Sequence, residues 1–236
     1  FPPNGVYATR TEYKGKTYSG ITNVGGISFP AWAFSDAPEI YASFQSELQS
    51  KNIAVQDLTF TSGMTSDDVQ QNTKDLINQN TDMDAVFGMA SGLDYVYPAL
   101  QGSNVKLIAM GYDNSVESLM NSGALLAAGN NNHTQAIASC VARIINALEG
   151  NSYPDAADGQ YNEGGIVNGV AGYPVIGNAE DLQNYQNYVV PENGADGCVT
   201  AEELENCIIS YNADATLADL NTLTNRSLSD IVAARQ

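Results

Sequence analysis

The stretch VKLIAMGYDNSVESLMNSGALLAAGNN, residues 105–131, constrains the fold most. Val105, Leu107, Ile108, Ala109 and Met110 form an apolar run too short for a typical core helix and long enough for a buried strand. Gly111 closes the run, and Tyr112, Asp113, Asn114 and Ser115 supply turn and N-cap chemistry. Val116, Leu119 and Met120 then recur at helical spacing. Asn121, Ser122 and Gly123 end that helix, and Leu125 opens another apolar run. In an open parallel sheet the loop after the carboxyl end of a strand faces the ligand crevice. Here that loop carries an aromatic ring and a carboxylate side by side.

The same alternation precedes this stretch. Residues 17–27, TYSGITNVGGI, read as a strand ending in glycines, and an aromatic loop with Phe29, Trp32 and Phe34 follows. Ser35 or Asp36 caps the next helix, which carries Ile40, Phe44 and Leu48 on one face. Residues 54–61 form a second strand. Thr65 and Asp68 form a capping box before a helix striped by Val69, Thr73, Leu76 and Ile77. Residues 84–90 form a third strand, and residues 93–100 a helix that Pro98 kinks or shortens. Strands and helices alternating at this spacing predict an α/β fold: a parallel, Rossmann-like sheet with helices on both faces. Residues 133–148 give the best helix, with Ala136, Ile137, Cys140, Val141, Ile144, Ile145 and Leu148 on one apolar face. Cys140 is expected in the core there. Beyond Gly150 the pattern weakens, with residues 166–175 as a further strand.

Nine Lys and Arg stand against 27 Asp and Glu, a formal net charge of -18, which excludes nucleic acid as a partner and electrostatic docking on anionic lipid. No stretch approaches the apolar length of a membrane span, and the first residues carry no secretory leader. Cys198 and Cys207 flank a polar helix start, where a disulfide and two free thiols are both open. Glu192, Asp196 and Glu203 stand at calcium-loop spacing around Gly197, but Thr200 with Glu203 reads equally as a capping box. No metal site is assigned and no cofactor is implied. His133 is the lone histidine, with no serine elbow or phosphate loop beside it, and no carboxylate pair stands out as a catalytic couple, so an enzyme is not expected.

GYDNSVESLMNSGALLAAGNN resembles the second-lobe segment of type I periplasmic (solute-binding) proteins, the ribose- and galactose-binding group, where a G-F-D-G-T-P-E-A-L loop precedes a short helix. MDAVFGMASG is similar to that family's I-D-A-I-F-A-A-N-D, and VTAEE to its closing V-T-K-E-N helix start. The resemblance implies three parts: residues 1–16 as a lead-in or linker, residues 17–131 as the second lobe, and residues 132–236 as the hinge-crossing helix, a first-lobe remnant and an extended tail. The first lobe that should come before is missing, which implies a fragment built around the second lobe or a replaced N-terminal lobe.

The candidate ligand contacts each have a structural alternative. Asp113 with Tyr112 would grip sugar hydroxyls and cover a sugar face, or Asp113 would cap the next helix from its own loop. Trp32, the only tryptophan, with Phe34 beside it, would stack on a ligand or anchor a core. Ser91, where the family has an Asn-Asp pair, would donate one hydrogen bond or sit in a plain turn. Asn130 and Asn131, at the hinge amide position, would bind hydroxyls or serve as turn and cap residues. The family often has an Arg at the start of the first helix, and this chain has none.

The resemblance implies an extracytoplasmic solute-binding component of an ABC importer, periplasmic or lipid-anchored, that closes two lobes on a sugar and docks on a membrane permease. The other reading is a ligand-sensing domain of the same fold. A chain with one complete lobe should also expose the apolar face of its longest helix and self-associate through it.

Overall fold

The computed structural model describes residues 21–156, 171–190 and 197–236, together with two short strands, β1 (Glu12–Tyr13) and β2 (Lys16–Thr17). These two pair antiparallel. The first parallel strand therefore begins at Asn23 rather than at Thr17. The main sheet has six strands in the order β4-β3-β5-β6-β7-β8: β3 (Asn23–Ser28), β4 (Ala54–Phe60), β5 (Ala85–Gly88), β6 (Lys106–Met110), β7 (Leu125–Gly129) and β8 (Val175–Ile176). The four pairings from β4 through β7 are all parallel. The chain goes from β3 to β4 on one side, then jumps back to β5 on the other. That reversal is a topological switch point.

Two adjacent glycines show that helices cover both faces. A Cβ on Gly26 would run into the Tyr41 ring of α1 (Ala37–Gln49), and one on Gly25 would meet Met83 at 2.6 Å and Leu76 of α2 (Ser66–Gln79) at 3.4 Å. Successive residues of a strand point to opposite faces, so α1 and α2 flank the sheet on opposite sides. On the α1 side, Ala37 and Tyr41 pack with Phe87 and Met89, and the Phe44 and Phe87 rings lie 4.5 Å apart. At the amino end of the sheet, Asp84 Oδ2 accepts the Thr22 N–H at 2.6 Å and the Asn23 N–H at 3.0 Å. That carboxylate ties the start of β5 to the start of β3.

The caps follow local chemistry. Thr65 and Asp68 make the expected capping box on α2. Asp36 stands at the N-cap of α1 but makes no side-chain cap bond; its Oδ1 accepts the Ser35 hydroxyl instead. The helix expected over residues 93–100 is a π-helical turn, Gly92–Val96, running into the single turn α3 (Tyr97–Leu100), with Pro98 in the first turn of α3. Pro98 lacks the N–H that a continuous α-helix would use there. After β6, α4 (Val116–Asn121) buries Val116, Leu119 and Met120.

The contacts divide the chain into two units, one of residues 1–129 with Ile176–Ala179 and one of residues 130–175 with 180–236. The second unit holds α5 (His133–Leu148), α6 (Ala179–Tyr188, all but its first residue), α7 (Ala201–Glu205), α8 (Leu217–Thr224) and α9 (Leu228–Arg235). Here α5 departs from the sequence reading. It buries Gln135, Ala138, Ser139, Ala142 and Asn146, whereas Ile137 is 61% exposed, Ile144 55% and Leu148 83%. Cys140 is exposed with them and is not a core residue. The buried face is small and polar because it closes on backbone: Gln135 Nε2 donates to the Leu223 and Arg226 carbonyls, its Oε1 accepts the Gly172 N–H, and Asn146 Oδ1 accepts the Ile209 N–H. Of the strand expected over residues 166–175, residues 166–170 lie outside the described residues and only Val175 falls in a strand.

Cys198 and Cys207 are buried free thiols, so no disulfide joins them; Cys198 donates to Asn132 Oδ1, and burial pushes the Cys207 thiol up. The calcium reading fails at Glu203, while Glu192 and Asp196 lie outside the described residues. The Glu203 carboxylate accepts the Thr200 N–H of the α7 capping box and the guanidinium groups of Arg226 and Arg235. Burial pushes its pKa up, but the bonds from Arg235, the Thr200 backbone and Arg226 outweigh that and hold it at about 2. A depressed carboxylate stabilises the fold above its unfolded pKa, and that contribution fades as pH falls through the folded value. Thermal melts of the wild type should therefore lose stability between about pH 4.5 and pH 2. Glu203→Gln should melt lower at neutral pH and show a shallower acid slope in the same window.

Candidate functional site

The carboxyl edge of the sheet is where the loops with unused polar and aromatic groups emerge. Register aligns the strand ends: Ser28 pairs with Phe60, Ile27 with Gly88, Gly88 with Ala109, and Met110 with Gly129. The loops after β3, β5 and β6 therefore leave one edge of one sheet, the first two flanking the switch point. Trp32 and Phe34 lie in the first loop, Ser91 in the second, Tyr112 and Asp113 in the third. Asn130 and Asn131 follow β7 directly, at the start of the second unit.

The loop after β3 is a tight turn. The Ala33 and Phe34 N–H groups both donate to the Pro30 carbonyl, at 2.8 and 3.1 Å. That turn carries Trp32 outward, 78% exposed, while Phe34 packs partly buried against Ala37, Tyr41, Phe87 and Met89. Trp32 is thus no core anchor. Phe34 is chiefly a support for the turn. Phe29 meets Tyr95 of the π-helical turn edge to face, with ring centroids 6.5 Å apart, and so links the two loops that flank the switch point.

Ser91 is half-buried with φ 50° and ψ 63°, left-handed backbone that a residue with a Cβ adopts at a cost. Its carbonyl accepts the Tyr95 N–H at 2.8 Å and the Val96 N–H at 3.4 Å, and the second of these, spanning five residues, starts the π-helical turn. Non-glycine strain and single π-turns both concentrate at functional sites.

Asp113 does part of what each reading requires. Its Oδ1 accepts the Ser115 N–H at 2.7 Å and the Ser115 hydroxyl at 2.5 Å, which builds the turn into α4. Oδ2 accepts no hydrogen bond from the described residues. Tyr112 beside it is half-buried. In the second unit, Asn130 Nδ2 donates to the Tyr185 hydroxyl at 3.0 Å and Asn131 is exposed. The helix cap goes to Asn132, whose Oδ1 accepts the Gln135 N–H.

Three residues at this edge escaped the sequence reading. Ser28, the last residue of β3, is wholly buried, and its hydroxyl has no partner. Such a group costs about 1–3 kcal/mol. Phe60 and Met64, at the end of β4 and in the loop after it, are exposed apolar side chains. A serine at the end of a strand is visible in the sequence, but its lack of a partner depends on packing. No group of His, Cys, Asp or Glu suited to a metal occurs among the described residues, and no helix among them is long and apolar enough to cross a membrane.

No protein-family model matches the chain, and no curated protein does. Solved structures do. A sugar ABC transport system substrate-binding protein from Bordetella parapertussis 12822 aligns with a TM-score of 0.56 at 17% identity, over 68% of this chain and 51% of that one. The fold is that of the type I periplasmic-binding proteins. The XylFII-LytSN complex aligns at 0.48 with 18% identity, over 56% of this chain and 50% of that one. A carbohydrate transporter from Acidothermus cellulolyticus 11B, in complex with myo-inositol, aligns at 0.46 with 14% identity, over 63% and 49%. The chain spans about half the length of these structures. In an open α/β sheet ligands bind at the switch point beyond the carboxyl ends of the strands, and in this chain that is the edge bearing Trp32, Ser91 and Asp113.

Trp32 is the sole tryptophan and is exposed, so it reports on that edge without interference. Emission of the free protein should resemble tryptophan in water and be quenched readily by acrylamide. Emission typical of a buried indole would contradict the placement.

Proposed function

We propose that this chain is part of an extracytoplasmic solute-binding component of an ABC importer. It binds a sugar or similar small polar ligand at the carboxyl edge of its first unit, which serves as the second lobe of a two-lobed protein. The observation that supports this best is the set of three loops at the carboxyl edge: an outward Trp32, a strained Ser91, and an Asp113 with one carboxylate oxygen to spare. An aromatic ring covers the apolar face of a sugar, and a free carboxylate oxygen accepts its hydroxyls. The structural neighbours are named as transporter components rather than enzymes, which supports binding over catalysis. A membrane permease as partner and an extracytoplasmic location, periplasmic or lipid-anchored, complete the proposal.

The exposed Ile137, Ile144 and Leu148 ridge of α5, with Cys140 midway, supports self-association of this chain. The ridge is continuous along the helix and can pair with its own copy in antiparallel sense. Sedimentation should show a concentration-dependent dimer that Ile144→Glu abolishes. A wild-type monomer at all concentrations would refute the pairing.

Asp113→Asn separates the two duties of its carboxylate. Asparagine keeps Oδ1 for Ser115 and replaces the spare oxygen with a donor. Sugar binding measured by calorimetry should weaken by about 1.5–3 kcal/mol, the range for charge-assisted bonds. The melting temperature of the free protein should stay nearly unchanged. Asp113→Ala, which also removes the Ser115 bonds, should lose stability as well. Unchanged affinity in Asp113→Asn would make the residue purely structural.

A further inference from the structure

The distribution of charge over the first unit deepens the proposed binding reading, on which this inference rests. At the carboxyl edge, Asp36 precedes α1 and Glu39 lies in its first turn, Asp67 and Asp68 open α2, Asp94 lies in the π-helical turn, and Asp113 and Glu117 flank the start of α4. The three cations of this unit whose side chains are described lie elsewhere. Lys51 precedes β4 and pairs with Glu47, Lys106 is the first residue of β6 at the amino edge, and Lys74 lies well along α2. No Lys or Arg falls in residues 29–36, 61–65, 89–91 or 111–115.

Part of this pattern is ordinary helix chemistry, since acids favour helix N-termini. Asp68 is fully accounted for in that way: it accepts from the Thr65 N–H and from the Thr65 and Ser62 hydroxyls. Asp113 is not, because Oδ2 remains over. The edge also carries Trp32, the aromatic side chain best suited to a cation, and the unpartnered Ser28 hydroxyl at the end of β3. A carboxylate or phosphate on a ligand would meet like charge here, with no described guanidinium or ammonium to receive it. A protonated amine would meet a free carboxylate oxygen, an exposed indole and a negative field that draws it in.

We propose that this edge selects its ligand by charge: it takes a polyol or sugar bearing a protonated amine in preference to the neutral parent, and rejects sugar acids and sugar phosphates. The selectivity lies in Asp113 and the surrounding first-turn acids rather than in shape alone.

Matched trios test this on the full chain by calorimetry at mildly acidic pH, where the amine is protonated. The probes are D-glucose, D-glucosamine and D-glucuronate, then D-galactose, D-galactosamine and D-galacturonate. In at least one trio the amino sugar should bind about tenfold more tightly than the neutral sugar, and the acid about tenfold more weakly. Both gaps should narrow in high salt, and Asp113→Asn should reduce the advantage of the amine. An acid that binds as well as its neutral parent, or an amine with no advantage while the neutral sugar binds, overturns the charge selection and leaves the sugar reading standing. Silence from every probe overturns the sugar reading and this inference with it.

Discussion

Everything in the first unit depends on how closely two helices approach β3, the strand next to the edge of a parallel sheet. Gly25 and Gly26 of β3 are neighbours in sequence, and each replaces a side chain with contact from the opposite face: Leu76 and Met83 on one side, the Tyr41 ring on the other. A parallel strand buried on both faces has no solvent side on which to place polar residues, and β3 is buried along its whole length. The Tyr41 hydroxyl reaches over to donate to the Gln56 carbonyl, and Gln56 Nε2 donates to Asn23 Oδ1. The pinch therefore also locks β4 to β3. With β3 fixed between β4 and β5, the loops after β3 and β5 leave the carboxyl edge on either side of the switch point, and the contact of Phe29 with Tyr95 joins them.

The same constraint explains which parts of the molecule could be read from sequence. Runs such as residues 85–88 and 107–110 are short, apolar and bounded by turns, and they could hardly be anything other than buried strands once helices intervene. Thr65 with Asp68 is a local signal, and the box forms as written. The helix α5 was legible as a helix but not in its orientation. Its apolar stripe faces out because Gln135 and Asn146 on the other side satisfy backbone groups brought by residues 172, 209, 223 and 226, far along the chain. No periodicity argument sees partners that distant. The fate of Glu203 is similar: its spacing to Asp196 hinted at a cation loop, whereas the cations it holds are Arg226 and Arg235.

At the candidate site, the location of the residues was more legible than their duties. Trp32, Ser91 and Asp113 fall after strand ends that the pattern fixes, so their common edge follows from topology. What Asp113 does there is divided within one carboxylate, Oδ1 to its own turn and Oδ2 to spare, and sequence cannot resolve two oxygens. Phe34 looked like a second stacking ring, yet its neighbours Ala37 and Tyr41 draw it inward and leave Trp32 to face solvent alone. Asn130 looked like a hinge amide and is bonded to Tyr185. The strain at Ser91 and the orphaned Ser28 hydroxyl have no sequence signature at all.

The central claim is that ligand meets this chain at the carboxyl edge of the parallel sheet. Backbone amide NMR during titration with a binding sugar tests it most directly. The shifted resonances should cluster in residues 28–36, 89–92 and 111–115, with the amino edge around Asn52, Asp82 and Lys106 unmoved. Shifts confined to the amino edge, or scattered over α5 to α9, would contradict it.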